Sequence, residues 1–412
     1  MKGVLILIDG LGDLPCKELG GKTPLEAAKK PNLNYFAKHG KQGYMYTIKE
    51  KITPGSDEAV ISILGNKIET SYRGWLEAIG SGINLKRGDV AFRANFATID
   101  DFENRNILDR RVGRSLTTRE ATILTKDINK AMSKKFIFKN TIQHRGVLVL
   151  RGGFSDNVSG TDLPLYTEKG KTGKFRFSEP LDETENSRFT AEMVNDFIYK
   201  SYKVLEKHPI NLERIKKGLL PANIILLRSP SNEPPNLIKY KKWGAILYMP
   251  VEIGISKISG MKIFSITYPD LKNYDVYKNL NDGLKQACKF TLKTIKEQKD
   301  KFDYFYVHFK ETDVPGHDNK PKEKKKMIEQ LDRLFFKEFR KIIEKDKIKT
   351  IITADHSTPC NLKDHSSHPV PVLYCDWQKS EDKNFCERTA RGGKLGKIYG
   401  IELLEKLGFK KK

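Results

Sequence analysis

Residues 4–8 (VLILI) are an unbroken run of β-branched and leucine side chains that stops at Asp9-Gly10. A short apolar run closed by a turn signal predicts a parallel strand buried on both faces. Thr23-Pro24-Leu25-Glu26 reads as a cap, an N1 proline and a first turn, opening a helix through about Lys30. A second helical piece is expected over 32–39. Two more buried strands are expected at 305–309 (FYVHF) and 350–353 (TIIT), and another at 370–373 (VPVL). Between the first two, Met327, Ile328, Leu331, Leu334, Phe335, Ile342 and Ile343 recur at helical spacing within 323–345. Strand, helix, strand predicts a right-handed βαβ unit. Both ends of the chain thus read as α/β.

The middle is patterned differently. Strands are expected at 92–99, 146–151 and 223–227, separated by longer polar segments, with 152–173 a loop rich in Gly, Ser, Thr and Asp. SPSNEPP at 229–235 is the best linker candidate. The expectation is a smaller domain, 71–232, inserted into a core domain formed by 1–70 and 233–412.

Composition narrows the classes. Of 412 residues, 38% are hydrophobic, enough for a substantial core, and the net charge is +23. That surplus points to an anionic partner, either nucleic acid, an acidic membrane surface or a phosphorylated small molecule, or simply to a lysine-rich proteome. No helix-turn-helix signal, zinc-finger spacing or aromatic-basic RNA motif occurs, which argues against nucleic acid. No 18-residue apolar run occurs, which argues against a membrane span, and the first apolar run is a strand, not a signal peptide. Cys16, Cys288, Cys360, Cys375 and Cys386 contain no C-x-x-C pair. A disulfide framework is not expected, and the reducing cytoplasm is.

Candidate chemistry gathers at the predicted strand ends. Ser56, in TPGSDEAVISILG, reads first as a helix N-cap, with Asp57 and Glu58 in the first turn. Five of the eight His lie at 308, 317, 356, 365 and 368. Asp9, Asp313, His317, Asp355, His356 and His365 are six candidate ligands near strand C-termini, where ligands bind in doubly wound sheets. Each alone reads more readily as a turn, a cap or a core histidine. Together, carboxylate oxygens and imidazole nitrogens suit divalent transition metals, and six exceed what one tetrahedral ion needs, so a two-metal site is expected.

IDGLGD (8–13), PGSD (54–57), TDVPGHD (312–318), TADHS (353–357) and DHSSHPVPVL (364–373) occur in one order. They resemble the alkaline-phosphatase superfamily, and more closely its archaeal-type cofactor-independent phosphoglycerate mutases. GKTPLEAA (21–28), GDVAFRANFATI (88–99), ILDRRVGR (107–114), HRGVLVLRG (144–152) and GLLPANIILLR (218–228) extend the resemblance through the insert. The resemblance implies an alkaline-phosphatase-like, doubly wound, mostly parallel sheet with an inserted α+β domain. It implies an isomerase of glycolysis and gluconeogenesis that interconverts 3-phosphoglycerate and 2-phosphoglycerate through a phosphoserine. The alternative is a phosphatase or another phosphosugar mutase of the superfamily. Two divalent ions are implied, Mn²⁺ first, with Zn²⁺, Co²⁺ or Mg²⁺ as alternatives, and no bisphosphoglycerate. One ion would be held by Asp313, His317 and His365, the other by Asp9, Asp355, His356 and the Ser56 oxygen. Ser56 would be the nucleophile, with Asp109, Arg110 and Lys257 assisting. Arg93, Arg110, Arg111 and Arg114 would bind the phosphoglycerate substrate. His368 is left out of the ligand set. The implied partner is that small molecule alone, with no nucleic acid or membrane, in a monomer or small homo-oligomer. Two stretches depart from the family pattern: Tyr72-Arg73-Gly74-Trp75 interrupts a Y-x-G-R-G motif, and Gly160-Thr161-Asp162-Leu163-Pro164 lacks a histidine.

Overall fold

Asp9 owes its position to β1 (Gly3–Ile8), a strand whose six side chains are all buried. The computed structural model describes residues 1–68, 70–162, 173–378 and 383–409. Along them follow β2 (Gly40–Tyr46), β3 (Val90–Ile99), β4 (Ile107–Asp109), β5 (Phe136–Asn140), β6 (Arg145–Leu150), β7 (Ile224–Ser231), β8 (Trp243–Leu247), β9 (Lys262–Ser265), β10 (Tyr304–Phe309), β11 (Lys349–Thr353), β12 (Val370–Cys375) and β13 (Gly396–Tyr399).

Eight of these strands make one sheet in the order β13-β2-β12-β11-β1-β10-β8-β9. β1 lies at its centre, parallel to β11 on one side and β10 on the other. β8 and β9 continue the parallel run beyond β10, and β13 is parallel to β2. Only β12 runs against its neighbours, β11 and β2. The strands expected around 305–309 and 350–353 are therefore parallel, with β1 between them. Helices cover the sheet, and one apolar cluster runs from Val4 to Phe409.

The second sheet is antiparallel, in the order β4-β3-β6-β5 with β7 also paired to β3. Helices Thr118–Ala131 and Glu185–Glu206 pack on it around a separate apolar cluster centred on Phe92, Phe96, Phe138 and Phe197. The two units meet along helix Arg73–Gly80, which lies between this sheet and helix Pro250–Ile258. The approach is at backbone distance. A Cβ on Gly80 would sit 1.7 Å from the Pro250 carbonyl oxygen, and one on Gly254 2.0 Å from that of Leu76.

Three local expectations need correction. The helix opened by Pro24 ends at Ala27, because the chain turns extended at Ala28 and a new helix begins at Pro31. The long helix over 323–345 is interrupted by a π turn, Asp332–Phe336. Its Asp332 carboxylate accepts from the Asn32 and Leu33 N–H groups at 3.3 and 2.7 Å, capping helix Pro31–Lys38. The linker candidate begins inside a strand: 229–231 complete β7, and the Ser231 hydroxyl accepts from the Trp75 N–H at 2.7 Å.

Candidate metal centre and anion cavity

β1, β10 and β11 run side by side in one direction, with Leu7 level with both His308 and Thr353. Their C-terminal ends therefore deliver Asp9, the Lys310–Asp313 segment and Asp355-His356 to one edge of the sheet. His317 follows on the short helix Asp313–His317. His365 comes from the loop after β11, and Ser56 from the start of helix Ser56–Ile63.

All seven proposed ligands converge. Asp313, His317 and His365 offer atoms within 4.8 Å of one another, as do Asp9, Asp313 and His356. His356 Nε2 lies 3.1 Å from Asp9, 3.4 Å from Asp355 and 3.2 Å from the Ser56 hydroxyl. His317 Nε2 is 3.4 Å from Asp313, and His365 Nε2 is 3.8 Å from it.

The donor set fits cations. His317 Nδ1 lies 2.9 Å from the Lys363 carbonyl oxygen, and His365 Nδ1 2.9 Å from that of Pro54. His356 Nδ1 bonds the Thr358 hydroxyl at 3.0 Å, which in turn donates to Asp313 at 2.8 Å. In each ring the Nδ1 proton is committed, so the Nε2 lone pair is directed into the cluster, as metal-ligating imidazoles require. Among the described residues, Asp9 Oδ1, Asp355 Oδ2 and His308 Nε2 are buried there without a hydrogen bond. A buried orphaned acceptor is costly, and a cation relieves it. A further triad, Asp13, Cys16 and Cys360, already holds a cation of the chain's own, the Lys324 ammonium, 2.8 Å from Asp13.

The acids strain against one another. Burial and the Asp9 carboxylate push Asp355 up to about 7. Asp9 is pushed up by burial, but Lys310 and His356 outweigh that and hold it well below the usual range. Burial works against the His356 charge, yet Asp355 and Asp9 raise it to about 9. Burial and then His356 lower His365 to about 3. Lys310, in contact with Asp9 and 2.8 Å from Glu252, supplies the other positive charge.

Opposite the carboxylates lies a cavity of about 170 Å³ lined by Ser56, Asp9, Asp313 and six arginines: Arg73, Arg93, Arg111, Arg114, Arg145 and Arg228. Glu77 answers two of them, lying 2.9 Å from Arg73 and 3.5 Å from Arg93. Arg111 and Arg145 have no ion-pair partner among the described residues. Burial and neighbouring guanidinium groups, Arg114 and Arg73 respectively, depress Arg111 and Arg228 to about 10. Among the described residues, one buried Arg114 nitrogen has no hydrogen-bond acceptor, and Arg93 Nε has only the longer ion pair to Glu77. The cavity suits an anion beyond those the described residues supply.

Ser56 sits where the two halves meet, and it is not the cap. Gly55 occupies the N-cap position and Ser56 is the first helical residue, so its hydroxyl is released toward His356. The Gly55 N–H is taken by Glu58 at 2.9 Å. Asp57 pairs with Arg73 at 3.0 Å, so the interrupted motif at 72–75 still delivers an arginine to the cavity.

Arg93, Arg111 and Arg114 line the cavity, whereas Asp109, Arg110 and Lys257, expected to assist the chemistry, do not line it. Asp109 accepts from the Arg111 and Gly113 N–H groups at 2.7 and 2.9 Å, shaping the loop that carries Arg111 and Arg114. Arg110 is turned onto Asp162. Lys257 reaches the Ile79 carbonyl oxygen at 3.2 Å, because it lies near the C-terminus of helix Pro250–Ile258 while the cavity meets residues 250–252. His368 bonds Ser366, away from the ligands. Of the second departure, Leu163 and Pro164 lie outside the described residues, while Asp162 pairs with Arg110 and, at 3.7 Å, with Arg228.

Sequence reading gave no role to Lys310, Glu252, His308, Arg145 or Arg228. Lys310 and His308 had a usable signal, since His308 is the last residue but one of the strand preceding Asp313 and Lys310 directly follows it. The others are joined to the site only by strand pairing and by the packing of helix Pro250–Ile258.

A family model described as 2,3-bisphosphoglycerate-independent phosphoglycerate mutase matches residues 37–211, and one described as the metalloenzyme superfamily matches 248–411. A relative in Methanosphaera stadtmanae, named 2,3-bisphosphoglycerate-independent phosphoglycerate mutase, is 38% identical over 98% of this chain and 96% of its own length. A solved protein from Pyrococcus horikoshii is similar at a TM-score of 0.73 and 30% identity, covering 100% of this chain and 98% of that one. The cofactor-independent phosphoglycerate mutase of Thermoplasma acidophilum is similar at 0.55 and 27%, covering 99% of each. On these likenesses, spanning both sheets and every proposed ligand, the chain belongs to the 2,3-bisphosphoglycerate-independent phosphoglycerate mutases.

Proposed function

We propose that this enzyme interconverts 3-phosphoglycerate and 2-phosphoglycerate with Ser56 as the phosphoryl carrier and without bisphosphoglycerate. The observation that carries the reading is the place of Ser56: its hydroxyl lies beside His356, on the wall shared by the carboxylate–imidazole cluster and the arginine cavity. One divalent ion would be held by Asp313, His317 and His365, and the other by Asp9, Asp355, His356 and the Ser56 oxygen. Mixed oxygen and imidazole donors suit Mn²⁺, with Zn²⁺, Co²⁺ or Mg²⁺ as alternatives. Bound there, the ions would lower the pKa of the serine hydroxyl and neutralise phosphoryl charge.

The chain's own residues supply the rest. Ser56 Oγ attacks phosphorus and the bond from phosphorus to the 3-oxygen breaks, leaving phosphoserine and glycerate. The first-turn N–H groups of helix Ser56–Ile63 favour the phosphoryl oxygens. Arg111, Arg114, Arg145 and Arg228 hold the glycerate carboxylate by paired N–H donors while it reorients. Its 2-hydroxyl then attacks phosphoserine, and the Oγ–phosphorus bond breaks. Asp109 acts by shaping the arginine loop, and Arg110 by fixing Asp162. We assign Lys257 to packing between helices, not to chemistry.

The two apolar clusters support a core domain of 1–70 and 233–412 with 71–232 inserted. Five free cysteines, and the absence among the described residues of any helix long and apolar enough to cross a membrane, fit a cytoplasmic enzyme, as a monomer or small homo-oligomer. The test is an enolase-coupled assay with 3-phosphoglycerate, after chelation and readdition of Mn²⁺, with no bisphosphoglycerate added. Formation of 2-phosphoglycerate is expected; release of inorganic phosphate in its place would make the enzyme a phosphatase.

A further inference from the structure

The inserted domain touches the core on two sides of the cavity, and the two contacts differ in kind. On one side the backbones themselves are packed. A Cβ on Gly80 would lie 1.7 Å from the Pro250 carbonyl oxygen, and one on Gly254 2.0 Å from that of Leu76. Such a contact excludes water and has no second arrangement nearby. On the other side the two are joined by hydrogen bonds and an ion pair. The Thr118 and Arg119 N–H groups donate to the two Asp270 oxygens at 2.7 and 3.2 Å. Arg114 pairs with Asp318 at 3.2 Å, and Gln143 donates to Asn279 at 3.1 Å. Polar contacts at a water-accessible edge exchange readily for water, so this side can open while the glycine-packed side acts as the hinge.

Asp270 is the most exposed of these partners, and it completes a helix from another domain. Helix Thr118–Ala131 is capped internally, since the Thr117 hydroxyl accepts from the Glu120 N–H at 3.0 Å. That leaves the N–H groups of its first two residues, and Asp270 takes both, placing a carboxylate at the positive end of the helix dipole. The loop just before this helix carries Arg111 and Arg114 into the cavity. Asn279 ties the same core loop down, donating to the Pro269 and Asp270 carbonyl oxygens at 2.9 and 3.1 Å.

We propose that Asp270 is the positioning residue that holds the inserted domain shut while glycerate is free in the cavity, and so decides between return of the phosphoryl group to glycerate and its loss to water. The inference rests on the mutase reading. Phosphoserine beside a metal pair is open to hydrolysis whenever water enters, and a closed insert excludes water and retains glycerate. Hydrolysis here is attack of water oxygen on phosphorus with breakage of the Oγ–phosphorus bond, regenerating Ser56 and releasing inorganic phosphate.

The test compares wild type, Asp270→Ala and Asp270→Asn in their metal-loaded forms with 3-phosphoglycerate, measuring initial rates of 2-phosphoglycerate and inorganic phosphate together. The ratio of the two products is independent of how much enzyme is folded. Asp270→Ala is expected to raise the phosphate fraction roughly tenfold, and Asp270→Asn, which keeps the acceptor but not the charge, to fall between. A wild-type ratio in Asp270→Ala would overturn the proposal, whatever the change in kcat. A wild type that itself makes no 2-phosphoglycerate would overturn the mutase reading, and this inference with it.

Discussion

The Ser56 hydroxyl lies 3.2 Å from His356 Nε2, across 300 residues of sequence. That imidazole also faces Asp9 and Asp355, so the serine touches the ligand cluster through its most crowded member. Ser56→Ala is expected to lower kcat by about 10⁴-fold or more and to abolish acid-stable serine phosphorylation. Its Tm should stay within roughly 2 °C of wild type, because Gly55, not Ser56, caps the helix. Phosphorylated protein recovered from the alanine variant, by mass spectrometry, would rule Ser56 out.

Chelation should remove activity and also stability. Asp9, Asp313, Asp355 and three imidazoles would remain crowded together, with orphaned oxygens on Asp9 and Asp355. A melting curve in excess chelator is expected to fall by about 5 °C or more relative to the Mn²⁺ form, and to recover on readdition. A chelated enzyme with unchanged melting would contradict the ligand assignment.

Neighbouring arginines should behave differently. Arg111 lines the cavity and has no anionic partner among the described residues, whereas Arg110 is spent on Asp162. Arg111→Ala is expected to reduce kcat/KM by about 10²-fold, Arg110→Ala by about tenfold or less. Steady-state kinetics of the two variants in parallel decides the matter, and the reverse order would place Arg110 in the cavity.

Glu387 gives a pH signature away from the metals. Its carboxylate accepts from the Thr23 hydroxyl at 2.6 Å and the Asp13 N–H at 3.1 Å, but burial outweighs these and raises it to about 7. The folded chain thus keeps a proton that the unfolded chain gives up near the ordinary carboxylate value. The associated stability is complete below that value and is lost as pH rises toward about 7. Glu387→Gln should flatten this slope, narrowing the Tm difference between pH 5 and pH 8 by roughly 3 °C. Parallel Tm–pH curves for wild type and variant would refute it.

Helix packing sets the last prediction. Because a Cβ on Gly254 would meet backbone, not a movable side chain, Gly254→Val should cost about 3 kcal/mol or more in denaturant unfolding. Gly392→Ala, where a Cβ meets nothing within 4 Å, is the control and should cost little.

Asp9, Asp313 and Asp355 are legible in the sequence as candidate ligands because each follows a strand that reads clearly on its own. A buried parallel strand needs an apolar run, and the polar residue ending it stands out, as Asp9, Asp313 and Asp355 do. Arg145 and Arg228 did not stand out, since each lies within or at the start of an insert strand, and its neighbours in space come from β3. Lys257 was misplaced by helical position: being on the right helix does not say which end meets the cavity. Ser56 was placed one residue out as a cap, because serine at N1 and serine at the N-cap present the same local pattern. Of the core sheet, β1, β10, β11 and β12 show in the sequence pattern, while β2, β8, β9 and β13 do not, and neither do the helices of the insert.

The contact of Gly80 with Gly254 also bears on how such a protein can be recombined. Gly80 belongs to the segment 71–232 and Gly254 to the core, and each is fitted to the backbone of the other's helix. A chimera that exchanged this segment for that of a relative would inherit its arginines intact but would meet a helix surface shaped for other partners. Exchange should succeed only when residues 250–258 travel with the insert, making that helix, though continuous with the core sequence, part of the inherited unit.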